Sequence, residues 1–112
     1  MKIEIKFKGN FDDRTKMRLR KLIHSTKKVL NDFERGTNQI MVNFRDYKPY
    51  HSYGICYQSK NTIGLRPWRG EEPERILRTW FHEFGHLVWR NTQSQIKADA
   101  VAEYLETEYK GR

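Results

Sequence analysis

The segment "RTWFHEFGHLVW", residues 78–89, carries His82 and His86 four positions apart, with Glu83 directly after the first. On a helix, four residues rise about 6 Å and turn about 400°, so both imidazoles lie on one face, one turn apart. That separation lets two ring nitrogens reach one cation at roughly 2.0–2.1 Å. Glu83 is rotated to the side of the pair, where it can hold a water beside the ion and act as a general base. Gly85 leaves room for a substrate or a neighbouring segment. The chemistry implied is metal-assisted hydrolysis. A helix whose two histidines served only packing or solvation would not need a glutamate at that place.

Such a site needs a third protein donor, and no histidine follows His86. The remaining candidates lie on the last helical stretch. If the chain turns near residues 91–94 and the two helices run antiparallel, the counterpart of residue 84 falls near residue 101. Asp99 and Glu103 bracket that position and share a helix face at a spacing of four.

"HEFGH" followed by a helix reading "ADAVAEYL" resembles a zincin metallopeptidase of the gluzincin type. The closer likeness is to small ImmA/IrrE-type and related minimal phage or bacterial metallopeptidases. The likeness covers the last half of the chain by motif and the whole chain by element order. It implies a bound Zn²⁺, hydrolysis of a peptide bond in a protein substrate, and an acidic ligand on the helix after the motif. The gluzincin pattern is a ligand glutamate followed four residues later by an aspartate that orients a ligand histidine. "DAVAE" would invert the two, with Asp99 on the metal and Glu103 bonded to the outer nitrogen of His82. The reverse roles, with Glu103 as ligand, are the alternative. Some relatives read E-x-x-A-D, which would place the ligand slot at Gln95 and the orienting slot at Asp99. A carboxamide is the poorer zinc donor, and Gln95 lies close to the turn, so Asp99 is the expected ligand.

The elements must bring these groups together. "KIEIKFKG" alternates strictly and reads as a strand with Ile3, Ile5 and Phe7 on one face. Residues 11–36 switch to helical spacing, with Asp12 or Asp13 as cap, Gly36 as stop and a Lys/Arg-rich outer face. "QIMVNFRDY" is a second strand, with Ile40, Val42 and Phe44 inward. "GICYQ" and "TIGLR" are two short strands joined through "SKN". Residues 70–91 form the strongest helix, with Pro73 in its first turn. "QIKADAVAEYLETEY" forms the last, with Ile96, Ala100, Val101, Tyr104 and Leu105 available for packing. The expected fold is α+β, in the order β-α-β-β-β-α-α. It is a minimal zincin-like domain over residues 1–112, a small twisted sheet of about four strands against three helices.

Further residues can serve the site. The strand before the active helix can pair with an extended substrate. Tyr50, Tyr53 and Tyr57 are candidate substrate-binding or oxyanion-stabilising phenols. His51 can line a cleft from its loop, whereas His24, among lysines, has no role. Arg75, Arg78 and Thr79 precede His82 by one to two turns, where they can meet a substrate carboxylate or pair with Glu71 and Glu74.

The chain carries 22 Lys+Arg against 14 Asp+Glu, and the excess is concentrated. Residues 1–36 hold 11 basic and 5 acidic residues, a balance of +6. That half can attract nucleic acid or an acidic partner, which makes a basic binding module the competing function. Most simply it is a solvated face. One cysteine, Cys56, excludes an intrachain disulfide and suits a reducing compartment. No apolar run approaches a membrane span, so the expected setting is soluble and cytoplasmic.

Overall fold

The computed structural model describes residues 1–34, 36–46, 53–67, 72–89 and 95–111. Tyr50, His51, Trp68 and the turn near residues 91–94 lie outside them. The elements are β1 (Lys2–Lys8), α1 (Asp13–Ser25), α2 (Lys27–Phe33), β2 (Gln39–Arg45), β3 (Gly54–Tyr57), β4 (Thr62–Leu65), α3 (Pro73–Val88) and α4 (Gln95–Lys110). The strands form one mixed sheet in the order β1-β2-β4-β3. β1 and β4 run parallel to β2, and β3 folds back antiparallel on β4. This is the α+β arrangement that the alternation of periods implies.

The alternating residues face as the pattern requires. Ile40, Val42 and Phe44 of β2 are fully buried and Ile3 nearly so. Ile5 and Phe7 pack against the same core at its margin. β3 and β4 are joined by a single 3-10 turn over Gln58–Lys60. Asn61 closes that turn in the left-handed region at φ 47°, where asparagine is better tolerated than most residues.

The basic helical stretch differs from the single helix expected of it, because Thr26 breaks it. The Thr26 hydroxyl donates to the Ile23 carbonyl at 2.6 Å, and its backbone N–H donates to the same oxygen at 3.1 Å. A hydroxyl that takes a carbonyl three residues back competes with the regular ladder, and the axis changes there. The Thr26 hydroxyl oxygen in turn accepts the indole N–H of Trp80 at 2.9 Å. Both residues are fully buried, so this bond ties the break between α1 and α2 to the middle of α3. At the start of α1, Asp12 caps by accepting the Thr15 N–H at 2.7 Å. That bond, with Arg14 and Arg18 nearby, holds its carboxyl below the usual aspartate value.

α3 begins at Pro73, with its cap at Glu72. It buries Trp80, Phe81, Phe84 and Leu87 against the sheet and the other helices. α4 packs on it through Ala98, Val101, Ala102 and Leu105. Ile96 and Tyr104, expected inside, are 82% and 52% exposed. The reason is Gly85. A Cβ there would lie 3.0 Å from both the Cα and the carbonyl oxygen of Ala98. The two helix backbones meet at this glycine and alanine, and that contact rotates α4 so that Ala98 and Ala102, not Ile96 or Ala100, face inward. No helix among the described residues is long and apolar enough to cross a membrane.

Thr26→Val would strand the buried Trp80 N–H and lower the unfolding free energy by about 1–3 kcal/mol. Adding Trp80→Phe would recover part of that loss, since both polar partners are then gone. Urea denaturation of the single and double variants measures both. A Thr26→Val protein as stable as the parent would remove the bond from the account of the fold.

Candidate functional site

The apolar stripe of α3 is turned into the core, so its opposite flank faces a cleft of ≈860 Å³ between α3, β3 and the first turns of α4. His82, Glu83 and His86 all line it. Glu83 and His86 are each 8% exposed, and the His82 side chain is 22% exposed. The two imidazole rings stand 4.9 Å apart between centroids, with planes at 77°.

Both Nε2 atoms converge on one point. The side-chain oxygen of Gln95, the first residue of α4, lies 2.7 Å from Nε2 of His82 and 3.3 Å from Nε2 of His86. The outer nitrogen of His82, Nδ1, meets Asp99 Oδ1 at 2.7 Å. Asp99 follows Gln95 by one helical turn, so the two side chains reach the same histidine from successive turns of α4. The histidine helix is pinned from the other side as well. Gln58 donates its carboxamide N–H to the His86 backbone carbonyl at 2.8 Å. That carbonyl is in the last turn of α3, where backbone acceptors lack helical partners.

Glu83 is shielded by the sheet. A Cβ on Gly54 would lie 2.6 Å from Thr79 Cγ2 and 2.9 Å from Glu83 Cγ. Glycine therefore lets β3 approach α3 directly over the carboxylate. Burial pushes the Glu83 carboxyl above the usual glutamate value, opposed in part by the positive charge of His82 and His86 when protonated. A carboxylate raised in this way binds a proton more readily, which is what a general base requires.

The donor set can be tested against a cation. If Nδ1 of neutral His82 donates to Asp99, its Nε2 presents a lone pair toward the Gln95 oxygen, another lone pair. Without a cation, that approach needs a doubly protonated ring or a carboxamide turned to present its NH₂. A divalent ion at the point of convergence satisfies all three lone pairs at once. Two donors on a tetrahedral ion with ~2.05 Å bonds stand about 3.3 Å apart. The 3.3 Å contact of the Gln95 oxygen with His86 has that spacing, and the 2.7 Å contact with His82 is shorter, at hydrogen-bond distance. The residues present fit a metal ion, with two imidazoles and a carbonyl oxygen as nearest donors.

Several expected residues sit elsewhere. Asp99 stands on the outer nitrogen of His82, the place expected of Glu103. The two nitrogens of an imidazole point away from each other, so a carboxylate bonded at Nδ1 is turned away from a cation at Nε2. Glu103 is exposed and does not line the cleft. Contact of Gly85 with Ala98 brings the first turn of α4 beside the histidines, and the roles expected of Asp99 and Glu103 fall to Gln95 and Asp99, one turn earlier. Among the described residues no group of three His, Cys, Asp or Glu side chains is placed to hold a metal ion. Tyr53 lines the cleft, whereas Tyr57, 40% exposed on the same strand, does not. Arg78 lines it too and pairs with Glu106 at 3.4 Å rather than with Glu74. Gln58 and Gly54 had no signal in spacing or motif, because their roles are contacts across the fold. Gln95 did have one, the E-x-x-A-D spacing to Asp99.

No protein-family profile, curated protein or solved structure matches the chain.

Gly54→Ala would force the Thr79 methyl and the Glu83 side chain apart from β3, at a cost of about 1–3 kcal/mol. Thr79→Ser removes the nearer obstacle, so Gly54→Ala should cost less in that background. A double-mutant cycle by denaturation gives the coupling. Additive effects would show that Gly54 does not press on this part of α3.

Proposed function

We propose that the chain is a zinc-dependent metallopeptidase acting on a protein or peptide substrate in the cleft between α3 and β3. The observation that carries this reading is the convergence of the His82 and His86 Nε2 atoms on one point beside a buried glutamate. The sequence resemblance to gluzincins, carried by the same HEFGH residues, points to the same chemistry. When bound, the zinc ion supplies Lewis-acid polarisation of the scissile carbonyl and lowers the pKa of a water it coordinates.

The chain's own residues do the rest. His82 and His86 hold the ion. Asp99 fixes the tautomer of His82 by accepting its Nδ1 proton, so that the other nitrogen keeps its lone pair. Gln58 holds the His86 end of α3 in place by bonding its carbonyl. The Glu83 carboxylate takes a proton from the attacking water and returns it to the leaving nitrogen. Its burial favours the uptake. Arg78 and the Tyr53 phenol stand on the cleft wall, where they can meet substrate carbonyl or carboxylate groups.

A second reading, a basic module for nucleic acid or an acidic partner, draws support from α1, where Arg14, Arg18, Arg20 and Lys21 are all exposed. Binding through that face would weaken steeply between low and moderate salt.

Glu83→Gln should lower cleavage of peptide-library substrates by about 10²–10⁴-fold and leave metal stoichiometry unchanged. Mass spectrometry of the digests and metal analysis of the same samples read the two quantities. Cleavage at the parent rate would rule out Glu83 as the base. Asp99→Ala should weaken zinc binding by about 10–100-fold, as measured by chelator competition. Unchanged affinity would remove Asp99 from the support of His82.

A further inference from the structure

We propose that Gln95 is the third protein donor of the metal centre, through its side-chain carbonyl oxygen, and that this neutral donor makes the ion weakly held and readily exchanged. The inference rests on the metallopeptidase reading and concerns how that site is governed. The Gln95 oxygen is the side-chain atom shared by both inward-facing Nε2 atoms, at 2.7 and 3.3 Å. Asp99 is committed to the far nitrogen of His82 and is 71% exposed at its side chain. Glu103 is two turns beyond Gln95 and away from the cleft. No acidic side chain among the described residues takes the third position.

The consequence follows from charge. Two imidazoles and a carboxamide bring no negative charge to a divalent ion, whereas a carboxylate in the third place would bring one at direct contact. At such short range, that difference dominates the affinity. Glu83 does not replace it: its carboxyl is set to the side of the imidazole pair, against Gly54 of β3. The ion would therefore load and leave with the free zinc concentration, and occupancy of the site would act as the control on the activity. The position is well placed to tolerate a carboxylate. Gln95 is exposed, and as the first residue of α4 it stands where the helix dipole favours a negative group.

The test is zinc affinity by competition with a chromophoric chelator for the parent, Gln95→Glu, Gln95→Leu and His82→Ala, with circular dichroism to show that each is folded. Cobalt(II) spectra of the same proteins report the ligand field. Gln95→Glu should bind zinc at least about tenfold more tightly than the parent and shift the cobalt bands. Gln95→Leu should bind more weakly, and His82→Ala should lose binding. Parent-like affinity and spectra in both Gln95 variants, with binding lost in His82→Ala, would overturn the role of Gln95 and leave the metal centre standing. Absence of binding in the parent and in Gln95→Glu alike would overturn both. A parent that binds little while Gln95→Glu binds well would support the inference.

Discussion

The contact between Gly85 and Ala98 governs this molecule. Residue 85 lies between the two histidines of the motif, and its missing side chain lets the backbone of α4 come against α3. Every donor from α4 reaches the site because of that approach. A larger residue would push α4 outward, and Gln95 and Asp99 would fall short of the ring nitrogens. The same contact decides which side of α4 is buried. It turns Ala98 and Ala102 inward and leaves Ile96 in solvent. The packing of α4 and the reach of Gln95 and Asp99 to the histidines are thus set by one close approach.

The rest of the fold holds α3 still. The Trp80 indole reaches the broken helix at Thr26, Phe84 stacks at an angle on Trp80 and Phe33, and Gln58 takes the His86 carbonyl. Trp80 and Phe84, four residues apart, tie one side of α3, and Gln58 ties its end at His86, so the helix cannot roll about its axis without losing one of them. A site that depends on two imidazoles meeting at one point needs such restraint. The parallel pairing of β1, β2 and β4 supplies the floor under it, and β3 adds the wall that shields one side of Glu83.

Much of this was legible in the chain. Alternation at Ile3, Ile5 and Phe7 and at Ile40, Val42 and Phe44 gave the inner face of the sheet, because a strand can bury only every second residue. The spacing of Trp80, Phe81, Phe84 and Leu87 placed α3 and its buried stripe. The motif itself put His82, Glu83 and His86 on one flank. What failed was the choice of donors along α4. The helices meet near the expected level, Gly85 lying against Ala98 and Val101, but the side chains that reach the histidines come from one turn nearer the start of α4. Asp99 was therefore found on the outer nitrogen of His82, with Gln95 ahead of it. The break at Thr26 was hidden for a similar reason. A hydroxyl that bends a helix reads like any other polar residue until its partner, here Trp80, is known. Gly54 and Gln58 act only through elements distant in sequence, so local patterns carry no trace of them.

On the proposed reading, the proton acceptor and the two histidines share α3, and the third donor and the support of His82 come from α4. Glu83 is shaped by α3 and the strand pressed over it, while Gln95 and Asp99 belong to the opening turn of α4. Descendants of such a protein could retune how avidly they hold their ion by changing one exposed side chain, leaving the basicity of the buried carboxylate alone. On that reading, avidity for metal could change at α4 while the base on α3 stays as it is, two properties that a more economical arrangement would have fused.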